Sequence, residues 1–163
     1  MITAVYPGSF DPITNGHLDI IQRAAAIFGK VIIAVGKNEE KRPLFSLAER
    51  LALVKDATSG MPVTVLPING LLADFMKNHQ EKVIVRSLRA VSDFDYEFQL
   101  ALMNRQLNHD LETLFLMTSK EWLFLSSSTV KELAREGAGV ESLVPSCVAE
   151  ALSEKFRVVR KNP

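Results

Sequence analysis

The chain has 163 residues, the size of one domain, and its 19 basic residues are balanced by 19 acidic ones. This balance argues against bulk attraction to nucleic acid or to an anionic membrane, although a local basic pocket remains compatible with it. The chain has a single cysteine, Cys147, so it cannot form an internal disulfide. No apolar run is long enough to span a bilayer, and the first residues lack a signal-peptide pattern. We therefore expect a cytoplasmic protein.

Five short apolar runs are predicted to be strands, and they alternate with longer segments of helical pattern. The predicted strands cover residues 2–6, 31–35, 63–68, 82–85 and 113–117. Predicted helices cover residues 15–28, 50–58, 71–78, 92–108, about 128–136 and 145–155. A basic tail over residues 157–163 is expected to fray. Because the strands are almost continuously apolar, we expect both faces of their sheet to be covered.

Helix start and stop signals support this division. Thr14 is a predicted N-cap and Gly29 a predicted stop for the first helix, while SLAE over residues 46–49 has the spacing of a capping box. Either Ser127 or Ser128 is the predicted cap of the fifth helix. Alternating strands and helices predict parallel βαβ units in one domain over residues 1–163, with an open α/β sheet that has helices on both faces. Ligands of such sheets bind outside the carboxyl ends of the strands, where the strand order switches.

The loop after the first strand carries a dense polar pattern. It reads YPGSFDPITNGH over residues 6–17 and leads directly into the first helix. Gly8 permits a sharp turn or the close approach of a ligand, and Ser9 offers a hydroxyl at the strand end. His17 would lie in the first helical turn, where unpaired amides and the helix dipole favour a phosphate. A single histidine at such a place is more often structural, so the whole motif carries the hypothesis.

A second phosphate-binding pattern follows the fifth strand. LSSSTVK over residues 125–131 places three consecutive hydroxyls at a helix N-terminus. Side chains and amides there can hold phosphate oxygens together. One serine is enough for an N-cap, so the triplet alone fits a purely structural role equally well.

Four stretches together resemble the phosphopantetheine adenylyltransferases of the nucleotidyltransferase superfamily. TNGH over residues 14–17 is similar to the superfamily's T/H-x-G-H signature, and the serine triplet is similar to its second signature. VRSLRAVSDFDYE over residues 85–97 resembles the family pattern R-G-L-R-A-x-x-D-F-x-Y-E, and KEW over residues 120–122 also matches. The family commonly has glycine at Ser87, which serine can replace only with a negative φ or with strain. The resemblance runs from residue 4 to about residue 155.

The resemblance implies a reaction and an architecture. The reaction is transfer of AMP from ATP to 4'-phosphopantetheine, which gives dephospho-coenzyme A and pyrophosphate in coenzyme A biosynthesis. The architecture is a Rossmann-like five-stranded parallel sheet of order 3-2-1-4-5, assembled as a homohexamer. Mg²⁺ would accompany the triphosphate, held mainly through phosphates and water. Asp11 is a candidate for the outer sphere of that ion, or else simply a turn residue before proline.

Roles for individual residues are also implied by the resemblance. His17 would hydrogen-bond the α-phosphate and stabilise the transition state as a donor; its protonation state is open, because phosphates favour the cation and the helix N-terminus disfavours it. Lys41 and Arg86 would hold the phosphate of phosphopantetheine. Lys41 alone fits a solvated charged loop, and Arg42 could take its place. Leu72 would contact the pantetheine arm or else fill a helix core.

The remaining predicted contacts are with ATP, and Ser9 would contact both substrates. Arg89 would hold the phosphates, since a guanidinium forks well onto phosphate oxygens. The full set of residues expected at the nucleotide is Ser9, Phe10, His17, Ser87, Leu88, Arg89, Glu97, Trp122, Leu123, Phe124, Leu125, Ser126, Ser127 and Ser128.

Three rival functions differ in the residues that they need. Other adenylyl- or cytidylyltransferases, such as those acting on nicotinate mononucleotide, share the first loop, but residues 86–97 together with Lys41 favour phosphopantetheine. A module that only senses ATP would not need both His17 and the serine triplet. A structural domain would not concentrate glycine, cations and hydroxyls at the strand ends.

Overall fold

In the computed structural model, which describes residues 2–37 and 43–161, five parallel strands form one sheet of order β3-β2-β1-β4-β5. This confirms the predicted fold. The strands are β1 (Thr3–Gly8), β2 (Lys30–Gly36), β3 (Val63–Ile68), β4 (Val83–Leu88) and β5 (Glu112–Met117). Successive strands β1 to β3 extend in one direction from β1, while β4 and β5 extend in the other. The order therefore switches between β1 and β4, which is where a ligand is expected.

The part of the chain that the structure describes has six helices beside the sheet, and a short 3-10 turn precedes the fifth. They are α1 (Asn15–Phe28), α2 (Leu47–Ala57), α3 (Leu72–Asn78), α4 (Val91–Leu107), α5 (Ser127–Glu136) and α6 (Ser146–Lys161), with the 3-10 turn at Lys120–Trp122. No helix in the described ranges is long and apolar enough to cross a membrane.

Alternate residues of the central strands enter two separate cores, because side chains of a strand point to opposite faces. Tyr6 and Ile33 belong to the larger core, which α1, α2, α5 and α6 cover. Val5 and Ile32 belong to the smaller core, which α3 covers with Phe75 and Met76. Burial on both faces explains why these strands are almost wholly apolar in sequence.

Some predicted boundaries are wrong. Strand β4 continues to Leu88 and so includes Arg86 and Ser87. The cap of α5 is Ser126, not Ser127 or Ser128, since the Ser126 hydroxyl accepts the Thr129 N–H at 3.0 Å. Helix α6 runs to Lys161, so most of the supposed frayed tail is helical.

Candidate active site

A cleft of about 510 Å³ opens at the carboxyl ends of β1 and β4, at the switch in strand order. Its walls come from the loop before α1, from the first turns of α4 and α5, and from the 3-10 turn. The predicted residues that line it are Ser9, Phe10, His17, Arg86, Ser87, Arg89, Glu97, Trp122, Leu125, Ser126, Ser127 and Ser128. Residues from four separate sequence stretches thus meet in one place, as the topology of a parallel sheet predicts.

Four of the predicted residues that the structure describes do not line this cleft. Leu88 is buried and Phe124 is 93% exposed, while Leu123 lies between these extremes. Leu72 instead lines a neighbouring cavity of about 190 Å³, which also contacts Arg86. Lys41 falls outside the described residues, so its predicted role stays a prediction.

The cleft also contains residues that the sequence interpretation did not assign to it, namely Tyr6, Pro7, Gly8, Thr14, Gly16, Asp93, Tyr96 and Thr118. Thr118 directly follows β5, and its position at a strand end was a usable signal. Asp93 and Tyr96 lie on α4 within the family-like stretch. Tyr6 begins the first motif and lies within an apolar strand, but the pattern predicts no role for its side chain.

Thr14 and His17 close the N-terminus of α1 as a capping box. The Thr14 hydroxyl accepts the His17 N–H, and the Thr14 N–H donates to His17 Nδ1 at 3.0 Å. In most capping boxes a glutamate or glutamine makes the return bond, which here is made by an imidazole. The T-x-x-H spacing therefore marks the start of a helix and also places both residues in the wall of the cleft.

This cap fixes the chemical form of the imidazole. Nδ1 accepts a backbone N–H, so in the neutral ring the proton is on Nε2. Burial, followed by the positive charges of Arg89 and Arg86, lowers the pKa of His17 from 6.5 to about 4. At neutral pH the free protein thus presents a neutral ring whose Nε2–H is a donor. Phe10 packs edge-on against it, with ring centroids 5.1 Å apart.

Acidification is expected to destabilise the fold through His17. Between pH 6.5 and about 4, His17 binds a proton in the unfolded chain but stays neutral in the folded protein, because its pKa is lower there. The stability that the neutral ring contributes is present above pH 6.5 and is lost as the pH falls towards 4. Urea unfolding across this range, compared with His17→Gln, measures the effect, because glutamine can close the same cap without titrating. Parallel losses in both proteins would contradict the assignment.

Two glycines allow close contacts beside the imidazole. A β-carbon on Gly8 would lie 2.9 Å from the Phe10 ring, closer than real contacts allow. A β-carbon on Gly16 would lie 3.3 Å from Cβ of Trp122. The glycine of the TNGH motif therefore lets the first turn of α1 pack directly against the 3-10 turn.

Arg86 and Glu97 form a two-pronged ion pair in the cleft wall. Arg86 donates from Nε and Nη2 to the two carboxylate oxygens of Glu97, at 2.6 Å each, and from Nη1 to the Pro7 carbonyl at 3.0 Å. Burial acts against the charge of Arg86, but the hydrogen bonds and charge of Glu97 outweigh it and raise the pKa of the guanidinium. Three of its five N–H groups are thus used within the protein.

Ser87 and Arg89 follow on the same segment. Ser87 lies within β4, and the non-glycine residues with positive φ in the described chain are Phe10 and Gln80. Serine in place of the family glycine therefore causes no backbone strain here. Arg89 forms an ion pair with Asp93 at 3.3 Å and donates to the Leu125 carbonyl at 3.3 Å. The bond to Leu125 connects the residue after β4 with the segment just before α5.

Asp11 holds the first loop in place from outside the cleft. Its carboxylate accepts the N–H groups of Leu44 and Phe45, at 3.0 and 2.9 Å, and pairs with Lys131 of α5 at 2.8 Å. It does not line the cleft, and these bonds hold the first loop against the segment before α2 and against α5. Arg50, which is buried, donates to the Ser9 carbonyl at 2.6 Å from the other side.

Comparisons with known proteins agree with this geometry. A family model described as cytidylyltransferase-like matches residues 5–133. The phosphopantetheine adenylyltransferase of Dictyoglomus turgidum is 54% identical over 97% of this chain and 99% of its own length. The chain belongs to the phosphopantetheine adenylyltransferase family. That of Clostridium tetani is 52% identical over 95% of this chain and 98% of its own.

Solved structures support the fold alone. A candidate nicotinate-nucleotide adenylyltransferase from Vibrio parahaemolyticus has a TM-score of 0.72 at 15% identity, and covers 96% of this chain and 95% of its own. A lipopolysaccharide core biosynthesis protein from Thermoplasma volcanium has a TM-score of 0.55 at 21% identity, covering 74% of this chain and 98% of its own. At such identities the likeness says nothing about the acceptor.

Proposed function

We propose that the protein transfers AMP from ATP to 4'-phosphopantetheine, giving dephospho-coenzyme A and pyrophosphate. The observation that carries the proposal is the cleft itself, in which a neutral imidazole, two guanidinium groups and the start of a helix surround one space. Membership of the phosphopantetheine adenylyltransferase family is the reason for choosing 4'-phosphopantetheine as the acceptor of AMP. These groups suit phosphoryl chemistry, which depends on alignment and charge stabilisation.

The reaction needs no strong base, because the attacking phosphate is already an anion. Its oxygen forms a bond to the α-phosphorus of ATP while the bond to the bridging oxygen breaks and pyrophosphate leaves. Nε2–H of His17 donates to an oxygen of the α-phosphate and stabilises the charge that grows there. The cap at Thr14 holds the ring in the tautomer that can do this.

Acceptor and nucleotide occupy different sides of the cleft in this proposal. Arg86 binds the phosphate of phosphopantetheine with its free N–H groups, together with Lys41. The pantetheine arm then extends into the neighbouring cavity of about 190 Å³, where Leu72, Leu100 and Asn104 offer apolar contacts and an amide. Arg89 and the serines at the start of α5 bind the ATP phosphates, and Trp122 packs near the nucleotide.

We further propose that ATP enters as its Mg²⁺ complex. Within the described residues, no cluster of three or more His, Cys, Asp or Glu side chains could hold a metal. The cleft carboxylates of Asp93 and Glu97 are engaged by Arg89 and Arg86. Such surroundings suit an ion bound through phosphates and water. Turnover that persists after chelation with EDTA would contradict this.

The deciding experiment measures pyrophosphate release from Mg-ATP with 4'-phosphopantetheine. Parallel reactions use nicotinate mononucleotide, and glycerol 3-phosphate with CTP. Turnover that depends on phosphopantetheine alone supports the proposal. Turnover with another acceptor would overturn the roles of Lys41, Leu72 and Arg86. A folded protein that binds ATP but turns over no acceptor would instead be a nucleotide-sensing module.

The proposed homohexamer is supported by the surface of α4 and β5. None of the described side chains of α4 is buried, although the helix is rich in apolar residues. Exposed apolar side chains on this face are Phe94, Phe98, Leu102, Met103, Leu107, Leu114 and Met117. β5 is also an edge strand of the sheet. Contiguous apolar surface of this kind marks an interface, and we assign it to further copies of this chain.

Light scattering coupled to size exclusion is expected to show six copies of the 18.1 kDa chain. Phe98→Asp should break the assembly, because it places a charge in the apolar face. Ile27→Asp, which changes an exposed residue of α1, should leave it intact. A wild-type monomer at micromolar concentration would refute the proposal.

We also propose that the protein is cytoplasmic. The free thiol of Cys147 is consistent with a reducing compartment.

A further inference from the structure

Two charged residues of α1, Asp19 and Arg23, hold the turn that leaves β5. The carboxylate of Asp19 accepts the hydroxyl of Ser119 at 2.7 Å and its N–H at 3.2 Å. One helical turn later, Arg23 donates to the Met117 carbonyl at 2.6 Å and to Asp19 at 3.3 Å. The pair therefore fastens both chain neighbours of Thr118, and we call these four residues the α1 clamp.

The fastened segment forms one wall of the cleft. Thr118 is buried and lines the cleft, and its N–H donates to the Leu88 carbonyl at 3.0 Å. The 3-10 turn that follows carries Trp122, which also lines the cleft and packs close to Gly16. Helix α1 therefore carries His17 and also contacts the opposite wall at two points, near Gly16 and at Asp19.

We propose that Asp19 and Arg23 are positioning residues for ATP, a role that rests on the proposed function. Neither side chain lines the cleft, so both act through Thr118 and the 3-10 turn. Their bonds set the spacing between the imidazole of His17 and the wall that carries Trp122. The bonds from Ser119 to Asp19 are charge-assisted, because the acceptor is a carboxylate. They are also largely shielded from water, because the Asp19 side chain is only 17% exposed.

The test compares Asp19→Ala, Arg23→Ala and Ser119→Ala with the wild type, using full-length protein. Asp110→Ala is the matched control, because it also removes an acid from an ion pair but at an exposed site. Steady-state kinetics separates the KM for ATP from the KM for phosphopantetheine. Trp122 is the single tryptophan of the chain, so its fluorescence reports the Kd for ATP and the setting of the 3-10 turn.

Asp19→Ala is expected to raise the KM and Kd for ATP roughly five- to tenfold, since charge-assisted hydrogen bonds are lost. Ser119→Ala, which keeps the N–H bond, should give a smaller rise, and Asp110→Ala none. The KM for phosphopantetheine should stay within about twofold. The emission of Trp122 should shift in Asp19→Ala even without ATP.

Two outcomes would overturn the proposal. One is a lower melting temperature with an unchanged Kd for ATP in both Asp19→Ala and Ser119→Ala, which would make the clamp purely structural. The other is an equal rise of both KM values, which would indicate general loosening. The Kd for ATP is measured without an acceptor, so the role of the clamp is tested even if the wild type turns over no acceptor. That result would contradict the proposed function but not the role of the clamp.

Discussion

His17→Ala is expected to lower kcat by roughly 10²–10³-fold at saturating substrates, with a much smaller change in KM. The reason is that Nε2–H is a donor needed most when charge grows on the α-phosphate. The structure fixes that proton on Nε2 through the bond from Thr14 to Nδ1. Single-turnover kinetics with excess enzyme would measure the chemical step directly.

Two further variants separate catalysis from helix capping. His17→Gln should recover most of the unfolding free energy lost in His17→Ala, because glutamine can close the cap, but it should not recover the rate. His79→Ala should keep the wild-type rate, since that exposed ring stacks on Phe75 away from the cleft. Near-normal turnover by His17→Ala would show that the imidazole does not stabilise the transition state.

Arg86→Ala is expected to raise the KM for phosphopantetheine by about 100-fold, through lost charge-assisted hydrogen bonds to the acceptor phosphate. It should also lower the free energy of unfolding by about 3 kcal/mol, because Glu97 would keep a shielded and unpaired charge. The side chain of Glu97 is 12% exposed and that of Arg86 24%. Acceptor-dependent kinetics and urea unfolding measure the two effects.

The double variant Arg86→Ala with Glu97→Gln distinguishes binding from stability. Removing both charges should restore part of the lost stability and leave the KM high. Arg86→Lys should keep part of the binding but not the two-pronged contact with Glu97. If Arg86→Ala lowers stability without changing the KM, Arg86 serves only as the partner of Glu97.

Those two residues show where prediction from sequence ends. The family resemblance implies that Arg86 contacts the acceptor and that Glu97 contacts the nucleotide, each from its own place in the stretch 85–97. Their ion pair joins a strand end to a helix turn, and sequence spacing alone does not specify it. The strands were predictable, since burial on both faces leaves a continuous apolar run.

Other misses have local causes. Any of three adjacent hydroxyls could cap α5, and the extended backbone of Ser126 decides the matter, at φ −133° and ψ 155°. The bond from Arg89 to the neighbouring Leu125 carbonyl helps to hold that geometry. For α4, apolar residues predicted a helix correctly, but they do not say which surface covers it.

The capping box of Thr14 and His17 connects the stability of the first turn of α1 with the proposed transfer of AMP. When the first turn of α1 frays, the imidazole loses the bond that sets its tautomer. Under the proposed mechanism, a protein opened locally in this way is expected to be inactive while its sheet remains intact. Amide exchange at the start of α1 should therefore report the fraction of molecules that are competent for catalysis. Stabilising the core should not slow the loss of activity through fraying, whereas stronger capping of the first turn of α1 should.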